Sequence, residues 1–166
     1  MTNVELMPTL RVRIDEKDME IIDILYKNAR ATLSEIANYT KVSITAIRNR
    51  LSKLIRHGVL LGFRADIDFS KLGLSVHALV GIKVDFETRK IVANKLLSNW
   101  RIINLYEVTG DYDYIAEVVA KDLYDLREFL TTEMFEIQGI KKTETMVILK
   151  TYRGPSPFKA LKEKIR

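Results

Sequence analysis

Two groups of side chains in this 166-residue chain have the types and spacing to do chemistry. The first is cationic: Lys41, Arg48, Arg50, Lys53, Arg56 and Arg64 lie in a stretch, Lys41 to Arg64, that contains no Asp or Glu. The six charges exceed the +5 net charge of the whole chain. The excess is therefore local, which is the footprint of a surface for a polyanion. The second group is acidic: Asp111 and Asp113 follow Thr109-Gly110 and enclose Tyr112. A turn glycine lets backbone N–H groups approach a ligand carboxylate, and the two aspartates can accept hydrogen bonds from an ammonium group. The plainer reading is turn chemistry, in which the same carboxylates cap backbone N–H groups, and the residue types alone favour it.

Composition narrows the remaining chemistry. The chain has no cysteine and only two histidines, His57 and His77, so disulfides, thiolate metal sites and cysteine nucleophiles are excluded. A metal site from Glu107, Asp111 and Asp113 would offer too few oxygen ligands for a hard cation. No nucleophile–base order, phosphate loop or paired-carboxylate motif stands out, so neither enzyme activity nor a cofactor is expected. No apolar run approaches the roughly 18 residues of a membrane span, and Met1–Arg13 lacks the apolar core of a signal peptide. A cytoplasmic protein without membrane contact is the expectation.

The elements that must position the cations are three helices. Asp15 caps the first, with Ile21, Ile22, Leu25 and Tyr26 at helical spacing. Thr32-Leu33-Ser34-Glu35 has the spacing of a capping box and opens the second. Ser43 caps the third, which ends at His57-Gly58. About three residues, Thr40-Lys41-Val42, separate the last two helices, a helix-turn-helix spacing. Around helix 3, Ile44, Ile47, Leu51, Leu54 and Ile55 form the apolar stripe, and Thr45, Asn49, Ser52, Lys53 and Arg56 lie opposite, with Arg48 and Arg50 on the flanks. The partner this predicts is double-stranded DNA. Ser43, Thr45, Ala46 and Asn49 stand at the end that enters a major groove, Asn49 suited to adenine and Ala46 to a thymine methyl. Arg48, Arg50, Lys53 and Arg56 are assigned to phosphates, with a second reading for Arg50 as the ion-pair partner of an acid on helix 1.

Beyond Gly58, Val59–Asp68 reads as a short linking strand by the alternation of Leu61, Phe63, Ala65 and Ile67. Strand and helix patterns then follow in the order β-α-β-β-α-β: Val76–Val84, Thr88–Leu97, Ile102–Thr109, Tyr114–Ala120, Asp122–Phe135 and Lys141–Thr151. The predicted class is α+β. A helix-turn-helix (winged-helix-like) domain over 1–59 is joined by a linking strand and hinge over 60–73 to a ferredoxin-like βαββαβ domain over 74–153. A tail, 154–166, reads as a short basic helix or a loose end. The uncovered sheet face of so small a domain needs a partner, which predicts a homo-oligomer. Trp100, four residues after Leu96, is expected in the core, and His77 at an interface or in solvent.

These residues resemble the Lrp/AsnC (feast/famine) family of transcription regulators over residues 14 to about 153. The match runs through Ile14-Asp15, Asp18, Ile22, Ile24-Leu25, Ala29-Arg30, Leu33-Ser34-Glu35-Ile36-Ala37, Val42-Ser43, Arg50-Leu51, Leu54, Gly58-Val59-Leu60 and Gly62-Phe63. It continues at Val108-Thr109-Gly110-Asp111-Tyr112-Asp113-Tyr114, Gly139-Ile140, Thr143-Glu144-Thr145 and Val147-Ile148-Leu149. The resemblance implies a regulator whose dimers assemble into tetramers or octamers. It also implies a small-molecule effector, often an amino acid, between dimers near Thr109, Gly110, Asp111, Tyr112 and Asp113. Thr143 and Thr145 of the last strand offer hydroxyls that reach this loop only through the fold or a neighbouring subunit. The chain departs from the family at Lys41, where glycine is common. Two other readings stand beside this one: an architectural DNA-binding protein without effector control, and a metabolite-sensing module acting through protein contacts.

Overall fold

The computed structural model describes residues 12–164, so the first eleven residues of the N-terminal domain and the last two of the tail lie outside the description. The chain forms two compact units, one up to Asp66 together with the residues from Arg153 onward, the other Ile67–Tyr152.

In the first unit, α1 spans Glu16–Lys27, α2 Leu33–Thr40 and α3 Ile44–Arg56. Capping boxes start α1 and α2. The Asp15 side chain accepts from the Asp18 N–H while Asp18 accepts from the Asp15 N–H, and Thr32 and Glu35 do the same. Lys41, which ends α2, has φ 56° and ψ 40°. That left-handed geometry without glycine costs on the order of 1 kcal/mol. Ile21, Ile36, Ile47 and Leu54 form the centre of the core. Ile44 and Ile55, read as part of the buried stripe of α3, are exposed instead, because the other helices cover only its middle. The expected strand over Val59–Asp68 is absent: these residues are irregular, and none of the described strands pairs with them. Leu61 is 76% and Phe63 53% exposed. The tail forms a helix, α6, Phe158–Lys164, packed on α1.

The second unit has strands β1 (Val76–Val84), β2 (Ile102–Glu107), β3 (Tyr114–Ala120) and β4 (Ile140–Val147). They form one antiparallel sheet in the order β2-β3-β1-β4. Two helices, α4 (Arg89–Leu97) and α5 (Leu123–Glu128), cover one face. A π-helical turn, Phe129–Met134, continues α5. Val80, Ile82, Ala116 and Val118 of the sheet meet Val92, Leu96, Leu126, Phe129 and Met134 of the helices in the core, as the alternation in β1 and β3 requires. Trp100 is a correction: it is 60% exposed. Helix α4 ends at Leu97, so helical spacing from Leu96 no longer sets its direction, and its ring instead lies 4.7 Å from the Arg101 guanidinium.

Candidate nucleic-acid interface and effector loop

Helix α3 begins at Ser43, whose Oγ accepts from the Ala46 N–H at 3.3 Å. Ser43 is thus occupied as a cap and fixes the direction in which the first turn points. Thr45, Arg48, Asn49, Ser52 and Arg56 are exposed and Ala46 is half-buried. Among the described residues no hydrogen bond or ion pair engages the side chains of Arg48, Asn49 or Arg56. They form a free, acid-free face combining cations with hydrogen-bonding groups.

Arg50 and Lys53, expected at phosphates, are instead engaged by acids at the start of α1. The Arg50 guanidinium donates to Asp15 at 2.6 and 2.7 Å and to Asp18 at 2.7 Å. Lys53 donates to Asp18 at 3.2 Å and to the Arg13 carbonyl at 2.8 Å. Asp18 is fully buried, and a buried carboxylate needs paired, hydrogen-bonded cations. The second reading of Arg50, as the partner of a helix 1 acid, is the observed one. Burial pushes the Asp15 carboxyl up, but hydrogen bonds from Arg50 and the Asp18 N–H outweigh it, and its pKa lies below the usual carboxylate range. Spacing carried a signal for this network: Asp15 and Asp18 are three apart, as are Arg50 and Lys53, so each pair shares a helix face.

In the second unit, the loop between β2 and β3 is closed by backbone bonds. The Val108 N–H donates to the Asp113 carbonyl at 3.0 Å, and the Asp113 N–H to Ile82 at 2.9 Å. Gly110 has φ 119°, inside the region that favours glycine. Thr109, Gly110 and Asp111 are exposed.

Asp113 is 5% exposed and already committed. It accepts from the Val84 N–H at 3.0 Å, pairs with Arg89, and has Lys83 at 3.6 Å. The Val84 hydrogen bond, against some desolvation and with help from the Arg89 and Lys83 charges, holds its carboxyl below the usual range. Asp113 therefore organises the loop, its carboxylate already engaged by these three groups. Arg89 was invisible to sequence reasoning, since it lies 24 residues away and only the fold joins them.

The Tyr112 ring lies over Gly81, where a Cβ would meet it at 2.9 Å, and its hydroxyl bonds Glu144. Thr143 and Thr145 stand opposite Ile82 and Val80, whereas Glu144 stands opposite Gly81. Directly paired residues share a sheet face, so the two threonines lie on the helix-covered side and Tyr112 with Glu144 on the open side. Within one chain the pleat thus sets Thr143 and Thr145 on the other side of the sheet from Tyr112. Among the described residues no three His, Asp or Glu side chains come together in a group that could hold a metal ion. No helix of the described residues is long and apolar enough to cross a membrane.

Comparison with known proteins agrees with both units. Residues 14–60 match the winged helix-turn-helix DNA-binding family and residues 77–157 the Lrp/AsnC ligand binding domain. Helix α6 lies beyond both matches. The HTH-type transcriptional regulator FL11 of Pyrococcus abyssi is 37% identical over 144 residues, 87% of this chain and 95% of that protein. Among solved structures, AsnC of E. coli superposes with a TM-score of 0.78 at 27% identity, covering 87% of this chain and 98% of that one. A transcriptional regulator of Neisseria meningitidis, solved in complex with L-Met, superposes at 0.82 with 19% identity, 90% of this chain and 99% of that one, a likeness of fold. With matches to a winged helix-turn-helix and to the Lrp/AsnC ligand binding domain joined in one chain, and a relative of this identity covering 87% of it, the chain belongs to the Lrp/AsnC family of DNA-binding transcription regulators.

Proposed function

We propose that the protein reads specific duplex DNA sequences with the first turns of α3 and that an amino acid binding at the Thr109–Tyr112 loop regulates this binding. The observation that carries the reading is the division of labour on α3. Arg50 and Lys53 are neutralised by Asp15 and Asp18, while Thr45, Arg48, Asn49 and Arg56 are left exposed. Arg48 and Arg56 hold phosphates, which sets register; Asn49 and Ala46 meet base edges, which sets sequence.

The protein acts as a dimer or larger assembly. Leu61, Phe63 and Ile67 are exposed along the segment read as a linking strand, and apolar side chains left open to water in this way favour a partner chain. In the effector loop, the exposed Thr109–Asp111 backbone and the Asp111 carboxylate supply the contacts, and Asp113 and Arg89 hold the loop in shape. The L-Met complex of a protein of the same fold supports an amino acid as the effector class.

The test is binding to genomic fragments by gel shift, followed by titration of the bound complex with each of the twenty amino acids. Fragment-selective binding that one amino acid alters is the expected result. Equal affinity for all fragments, unmoved by any amino acid, would replace this reading with an architectural one.

A further inference from the structure

Helix α1 has two charged faces with different partners. Asp15 and Asp18 face α3 and hold Arg50 and Lys53. Glu16, Glu20 and Asp23, spaced four and three residues apart, face the C-terminal segment. Lys162 of α6 reaches Glu20 at 2.8 Å and Glu16 at 3.1 Å. Ser156 donates to Asp23 at 2.5 Å and also accepts from the Phe158 N–H at 3.3 Å, which fixes the entry to the helix. The Phe158 ring meets Tyr26 edge-on, centroids 5.3 Å apart and planes at 73°, and packs against the core of the unit. Arg153, where the chain re-enters this unit, pairs with Asp66, where it leaves. A seven-residue helix is too short to persist by itself in water, so its order comes from this docking.

We propose that residues 153–162 are a clasp that positions the DNA-reading helix from behind: Phe158 and Lys162 hold α1, and α1 holds α3 through Asp15 and Asp18. The clasp touches no DNA. It raises the fraction of molecules in which α3 is correctly placed, and apparent affinity scales with that fraction. Phe158 and Lys162 are thus positioning residues for DNA reading, lying outside the family's two matched domains. The inference rests on α3 being the reading helix.

The test uses the full chain with Phe158→Ala, Lys162→Glu and Lys162→Arg. It reads amide exchange of α1, α3 and the sheet together with DNA affinity across a salt series. For Phe158→Ala and Lys162→Glu, faster exchange in α1 and α3 with an unchanged sheet is expected. DNA affinity should fall about tenfold, as when about a tenth of the molecules stay competent. Lys162→Arg, which keeps the cation, should behave as the parent. The slope of log affinity against log salt should stay the same in all three, because no phosphate contact is lost. A slope reduced by about one in Lys162→Glu would mean that the tail binds DNA itself and would overturn the clasp. Unchanged exchange, or faster exchange without loss of affinity, would overturn it equally. If the parent protein bound no DNA, the assignment of α3 would fail separately, and exchange would still decide whether the segment holds α1.

Discussion

Arg48→Ala and Arg50→Ala remove the same charge from the same helix, yet the two variants are expected to fail in different ways. Asp18 has no exposed surface and takes one hydrogen bond from Arg50 at 2.7 Å, while Asp15 takes two from the same guanidinium. Removing one partner of a buried ion pair costs about 3–5 kcal/mol. Lys53 remains within 3.2 Å of Asp18, and the Arg50 side chain is 29% exposed. The lower end, about 3 kcal/mol, therefore applies. In a unit of this size each kcal/mol moves the melting temperature by about 4–8 °C, so the helix-turn-helix should melt at least about 10 °C earlier. Arg48 is exposed and unpartnered among the described residues, and its loss should change stability by no more than about 0.5 kcal/mol. On DNA the order reverses. Arg48→Ala should lower the salt slope by about one, whereas Arg50→Ala should leave it unchanged. Thermal melting followed by circular dichroism, with fluorescence anisotropy on an operator fragment over a salt series, measures both quantities. An Arg50→Ala protein that melts like the parent but loses one unit of salt slope would refute the reasoning, since Arg50 would then be serving DNA rather than α1.

Asn49→Ala should relax base preference at one operator position by about 1–3 kcal/mol with little change on random DNA; equal losses on both would remove Asn49 from readout. Asp113→Asn should lower the melting temperature of the sensing unit even without effector, because Arg89 and Lys83 lose their counter-charge; an unchanged melt with a lost effector response would return Asp113 to the role of direct ligand. Asp15, Asp113 and Asp125 all have carboxyl pKa values lowered by folding, so their stabilisation is present above the unfolded value of about 4 and is lost as pH falls below it through the lowered folded values; melting temperatures equal at pH 7 and 5 and falling below pH 4 are expected, and a rise on acidification would contradict the sign. Leu61→Lys with Phe63→Lys should shift the assembly toward smaller species in light scattering, and an unchanged mass would place the interface elsewhere.

Local chemistry in the sequence was sufficient to determine most of the elements. The acids and hydroxyls at Asp15, Thr32 and Ser43 cap helices because they bond N–H groups within three residues, and the alternation in β1 and β3 names a buried face without knowledge of the partner strand. The acid-free stretch at α3 was equally legible, because charge is additive along a chain. The irregular form of Val59–Asp68 was not, since alternation describes a face that a strand could bury but cannot supply the ladder that makes it a strand. Contacts between distant residues belonged to the tertiary structure alone. It gave Arg50 and Lys53 to Asp15 and Asp18, so that only part of the cationic face of α3 remains free. It paired Asp113 with Arg89, set Thr143 and Thr145 on the opposite side of the sheet from Tyr112, and brought Phe158 back onto Tyr26. Each of these depends on which groups the fold places within a few ångströms of one another, and that distance is set by packing across the chain rather than by spacing along it.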